Sequence, residues 1–199
     1  MNLATYKELA SLLMEVPELV ALYEGRSSGF SDAVKAWMTR VEPVMAGGGL
    51  PQVSEVSSMK ARIVSVERGV LADDSVVPLQ RASPSKQRYV GAVSAQAVHR
   101  VQAVLHGVIA PFEARLTEAA HVIRRMIIAA TQLGLLNSHL SGGGNSVPSL
   151  FRSMMADQNL RPLGTRILEL VSYEDSLTLL EEGIAEWVES YRRINPPNG

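Results

Sequence analysis

The 199-residue chain carries 46% hydrophobic and 20% charged side chains, a globular composition that fits one domain of ordinary size. It has no cysteine, which excludes disulfides, thiolate metal sites and cysteine nucleophiles. The formal net charge of −1 is spread as −2 over residues 1–52, +4 over 53–125 and −3 over 126–199, too slight an asymmetry to point to nucleic acid.

Residues 2–14 read as a short amphipathic helix, with Leu3, Leu9, Leu12 and Leu13 at helical spacing. Pro17, tolerated in a first helical turn, starts a second helix in "PELVALYEG". "GRSSGFS" breaks the pattern, and Ser31 is expected to cap "DAVKAWMTRVEPVM". The triple glycine of "MAGGGLPQ" (45–52) follows. Valines between 53 and 71 favour a strand, but Val56, Met59, Ile63, Val66 and Val70 recur at steps of 3 and 4, which predicts a helix. "ADDSVVPLQRASPSKQR" (72–88) reads as a loop.

The dominant pattern covers 89–136. Val101, Leu105, Val108, Phe112, Leu116, Ala119, Ile123, Met126, Ala130 and Leu133 follow steps of 3 and 4, and Val104, Ile109, Val122, Ile128 and Leu135 widen the apolar face. Such a helix would be about 70 Å long at the usual rise. Pro111 cannot donate to the carbonyl of Gly107, so the segment is expected to be one kinked helix or two nearly collinear ones. A second triple glycine, in "HLSGGGNSVPS" (139–149), precedes the helices of "VPSLFRSMMADQ", "RPLGTRILELV" and "SYEDSLTLLEEGIAEWVESYRRI", the last capped by Ser172. The expected fold is all-α: a helical bundle around the long central helix, with glycine-rich joints to N- and C-terminal helices. Its segments are 1–46, 53–140 and 147–195, as one compact unit or as a core with appendages. No apolar run reaches the roughly 18 residues of a membrane span, and the N-terminus lacks a signal-peptide pattern. A cytoplasmic protein with no membrane partner is expected.

The glycine runs raise phosphate binding, but "GGGNSVPS" has no lysine, follows a helix and lacks P-loop spacing. A weaker anion site would use Gly143, Gly144 and Arg152 at a helix N-terminus. Arg81, Lys86 and Arg88 make "RASPSKQR" a basic loop that could touch nucleic acid, although only Tyr89 is at hand for stacking. Glu118 and His121 form one Glu-x-x-His pair where bundle di-iron sites need two, so no metal and no cofactor is expected.

Arg100 with His106, and Arg115 with His121, match Arg-x5-His. This spacing is similar to the active motif of the HEPN ribonucleases, which are all-α. The resemblance spans seven residues each time, and Val101 and Leu116 stand where that family usually has a polar residue. It implies a metal-independent ribonuclease or toxin acting as a dimer, with His as acid or base and Arg on the phosphate. The residues themselves carry no complete catalytic set. They favour a non-enzymatic helical subunit or adaptor that self-associates or binds partner proteins in a bacterial-type multiprotein assembly.

Overall fold

The structure, a computed structural model, describes residues 1–70, 84–137 and 146–194. Their regular structure is helical throughout: α1 (Leu3–Leu13), α2 (Val16–Glu24), α3 (Phe30–Gly47), α4 (Val53–Glu67), α5 (Pro84–Gln132), α6 (Val147–Ala156), α7 (Arg161–Leu170) and α8 (Tyr173–Ile194). The all-α bundle around a long central helix is thus present. The valine-rich segment is the helix α4, with Val56, Ile63 and Val66 buried.

The first helices are stopped by one repeated device. After α2, α3 and α4 the chain enters the left-handed region at Arg26 (φ 53°), Gly49 (φ 66°) and Gly69 (φ 83°). In each case the next amide turns back to the helix: Ser27 to Leu22, Leu50 to Met45 and Val70 to Ser65, at 3.0, 3.0 and 2.8 Å. This is the Schellman closure, which satisfies carbonyls that a helix end leaves open. It also corrects two expectations. Val70 lies past the end of α4 and is 60% exposed, and "GGG" at 47–49 is a tightly closed turn rather than a loose joint.

The chain divides into two compact units, Leu3–Pro111 and Phe112 onward, so the boundary falls inside α5 at the proline. In the first unit Val93, Ala97, Val98, Val101 and Leu105 of α5 join one core with Leu9, Trp37, Met38, Met45 and Ile63 from the preceding helices. Trp37 donates its indole N–H to the carbonyl of Leu12 at 2.8 Å, so the largest core side chain also satisfies the end of α1. Ion pairs rim that core: Arg40 with Glu15, Lys60 with Glu42, and Arg100 with Glu55 at 2.7 Å.

In the second unit Val122, Ile123, Met126, Ile127 and Ala130 of α5 are buried, as are Leu150, Phe151, Met154, Ile167, Leu170 and Leu180 of α6–α8. Gly183 lets α8 lie close to α5: a Cβ there would stand 2.9 Å from Ile127 Cδ1 and 3.3 Å from Ile123 Cγ2. Ser172 caps α8 as expected, accepting from the Asp175 amide at 3.1 Å.

Helix α5 runs unbroken through Pro111. It begins at Pro84 and not at Tyr89, since proline suits a first turn, so Lys86 and Arg88 are helical rather than in a basic loop. It ends at Gln132, short of 136, because Gly134 takes φ 75°. Leu133, placed on the apolar stripe, is consequently 47% exposed, and Ile128 of the wider stripe is exposed too.

The turn at 47–49 makes an opposed set of mutational outcomes. Gly47 has open space around it in a helical turn, so Gly47→Ala stabilises by up to about 1 kcal/mol. A Cβ at Gly48 would meet Thr5 Cγ2 at 2.8 Å, and Gly49 needs a positive φ, so Gly48→Ala and Gly49→Ala each destabilise by about 1–2 kcal/mol. Urea unfolding of the three variants reads the signs directly.

Candidate functional site

The cavities lie at the corner between α2 and α3, where the N-terminal turns of α5 pass in the same unit. Three open cavities meet there and share Phe30 as a lining residue. The largest, of about 730 Å³, has Tyr23, Glu24 and Arg26 on one side and Gln87, Arg88 and Gly91 on the other. The second adds Ser31, Asp32, Glu67 and Lys86. The third is apolar apart from His99 and Gln102, with Leu19, Val20, Ala95 and Val98.

The corner is built from α2 upward. Tyr23 sits against Phe30 with ring centroids 5.2 Å apart, so one aromatic is buried and the other stays half exposed at the rim. The Schellman closure then puts Arg26 in the left-handed region, which costs a β-carbon residue roughly 1–2 kcal/mol where glycine would be free of it. Facing it, Gly91 has nothing within 4 Å of a Cβ position, so the α5 wall recedes.

A polar chain fastens α3, α4 and α5 beside these cavities. Ser94, fully buried, donates to Ser31 Oγ at 3.2 Å, and Ser31 donates to Glu67 Oε1 at 2.7 Å. Lys35 gives 2.7 Å hydrogen bonds to both oxygens of Glu67 and a 2.8 Å ion pair to Asp32. Burial alone would lower the Lys35 pKa. The hydrogen bonds and charges of Asp32 and Glu67 outweigh that and hold its ammonium above the ordinary lysine value. Ser31 therefore ties helices together from within the first turn of α3. The expected capping role is absent, since Gly29 occupies the N-cap without a side-chain cap. Although a serine beside a carboxylate resembles an activated nucleophile, Glu67 here is engaged by Lys35 through both oxygens. The arrangement is a clamp.

The residues singled out in the sequence are distributed as follows. Lys86 and Arg88 line the corner cavities. Arg81, Gly143, Gly144 and His139 lie outside the described residues. Arg152 is exposed on α6, its Nε donating to the Pro148 carbonyl at 3.3 Å. Arg100 is held by Glu55, and His106 is exposed. Arg115 lies over the Phe112 ring at 5.3 Å, and His121 is exposed. Positions i and i+6 of a regular helix point about 120° apart, and α5 has no break between the members of either pair. Val101 and Leu116, where the HEPN pattern has polar residues, are buried core. Glu118 is bound by Arg166 at 2.6 Å, and no group of three or more candidate metal ligands occurs among the described residues.

Sequence reasoning missed the α2–α3 corner. One signal was available: Ser94 interrupts an apolar face between Val90 and Ala97, and a polar residue at a core position requires partners.

The clamp generates a pH dependence of known sign. A lysine whose folded pKa is raised contributes stability in full below its ordinary value of 10.5 and loses it as the pH climbs through the folded value. Urea midpoints measured between pH 9 and 12 should fall above about 10.5. The fall should be shallower in Lys35→Met; equal slopes would remove the clamp from the account.

Comparison with known proteins finds no matching family model, no matching curated protein and no matching solved structure.

Proposed function

We propose that the chain is a non-enzymatic helical subunit that self-associates or binds partner proteins within a multiprotein assembly. One observation carries this reading: α2 is apolar on more faces than its own fold covers. Its sequence, "VPELVALYE", buries Val16 and Leu19 against α3 and the rest of the core. Val20 and Tyr23 remain 43% and 46% exposed, with Leu22 exposed beside them and Met14 just ahead of the helix. A helix apolar nearly all round is ordinarily a buried one. Large apolar residues crowded into a single two-turn helix are more than the scatter expected of a free surface.

The chemistry of the described residues supports a binding role rather than catalysis. Of the titratable groups near the cavities, Asp32 and Glu67 are engaged by Lys35, and the Arg-x5-His residues stand apart on one continuous helix. No specific observation favours the ribonuclease reading.

Light scattering on purified protein, joined to a pull-down from the native host, tests the proposal. The expected result is a mass above the 21.6 kDa protomer or a retained protein partner. A strictly monomeric chain that retains nothing would overturn it. RNA incubated with the same preparation without added metal should remain intact.

A further inference from the structure

We infer that the groove between α2 and the N-terminal half of α5 receives an amphipathic helix of a partner protein, with acidic residues at the end that meets Arg26 and Arg88. The inference deepens the proposed function and rests on it. Three observations carry the shape, the apolar contact and the charge.

The shape comes from the cavities. They share Phe30 as a lining residue, and the α5 residues that line the first and third, Arg88, Gly91, Ala95, Val98 and Gln102, follow one another at intervals of 3 and 4. At 1.5 Å per residue that wall is about 20 Å long, four turns of helix. An occupant that follows it is elongated. Gly91 and Ala95 keep the middle of the wall low, which allows a second helix to approach closely.

The apolar contact comes from the far end. Leu19, Val20, Ala95 and Val98 line the third cavity, and Val20 and Tyr23 offer the uncovered face of α2 one turn apart. A helix laid in such a groove is read through apolar anchors at i, i+3 or i+4, and i+7.

The charge comes from the near end. Arg26 and Arg88 line the same cavity from α2's closing turn and from α5, and among the described residues neither is ion-paired with a carboxylate. Lys86 lines the adjoining cavity. Of the acidic groups there, Asp32 and Glu67 are already bound by Lys35, which leaves Glu24 facing the two arginines across the cavity. The other end carries His99 and Gln102. The groove is thus cationic at one end and apolar along the rest, and carboxylates on one end of an incoming helix complement it. Arg26 occupies a left-handed position where glycine would be easier, and such a backbone outlier beside a cavity fits a side chain that is used there. Nucleic acid is a poorer match: two arginines and one exposed aromatic ring give little to a phosphate backbone, and Leu19, Val20 and Val98 give nothing.

The test is selection of a displayed library of helical peptides, randomised in sequence, against the full chain. Labelled winners are then measured by fluorescence anisotropy. The expected winners are amphipathic with acidic residues clustered at one end. Their affinity should fall at least about tenfold for the pair Arg26→Glu with Arg88→Glu, and likewise for Val20→Glu. Arg124→Glu in the second unit should leave it unchanged, and circular dichroism verifies that each variant is folded. Failure to enrich such peptides, or winners indifferent to the groove variants, overturns the inference. A short single-stranded RNA that binds the wild type and is lost with Arg26→Glu and Arg88→Glu also overturns it, in favour of nucleic acid. Light scattering on the same samples separates this failure from failure of the subunit reading, which survives if association persists while peptide binding is absent.

Discussion

The apolar stripe of α5 is the constraint from which the rest of the structure follows. One 49-residue helix supplies buried side chains to two cores, Val93 to Ile109 in the first unit and Phe112 to Ala130 in the second. Burial at about 25 cal/mol per Å² is the largest favourable contribution available to a chain with so few aromatics and no cysteine for a disulfide. Propensity contributes less, since α5 contains Gly91, Gly107 and Pro111 and persists through all three. The proline costs one hydrogen bond at the carbonyl of residue 107, and the packed residues on either side offset it.

Polar interactions then select one arrangement of the helices rather than supply most of the stability. Exposed pairs such as Arg40 with Glu15 or Arg100 with Glu55 are worth little singly in water. The chain Ser94, Ser31, Glu67 and Lys35 is different, because its buried end has no access to solvent. It fixes the register among α3, α4 and α5, and so fixes the walls of the corner where Arg26 and Arg88 face each other. The order of dependence is therefore stripe, clamp, groove, and the binding reading sits at the end of it.

Much of this order was legible in the sequence. The steps of 3 and 4 in Val56, Ile63 and Val66 outweighed the strand preference of valine, because spacing reports which face is buried while propensity is easily overridden by packing. The same rule overreached at Val70 and Leu133, where a glycine one residue before or after ended the helix and turned an apolar residue outward. Pro84 misled in the other direction, since the residue that breaks a helix interior also begins one. The corner was illegible for a different reason. It is assembled from α2, the α2–α3 turn and α5, segments more than fifty residues apart, and an arginine in the left-handed region has no sequence signature. The Arg-x5-His spacing was visible, but it is a linear pattern on an uninterrupted helix, where within one chain its two members point about 120° apart.

The continuity of α5 bears all of these claims, and amide hydrogen exchange on the full chain measures it most directly. The account predicts protected amides on both sides of Pro111, from Leu105 through Leu116, without a gap wider than the proline itself disrupts. Exchange at the rate of an unstructured chain across residues 107–115 would contradict it, making the central element two separate helices.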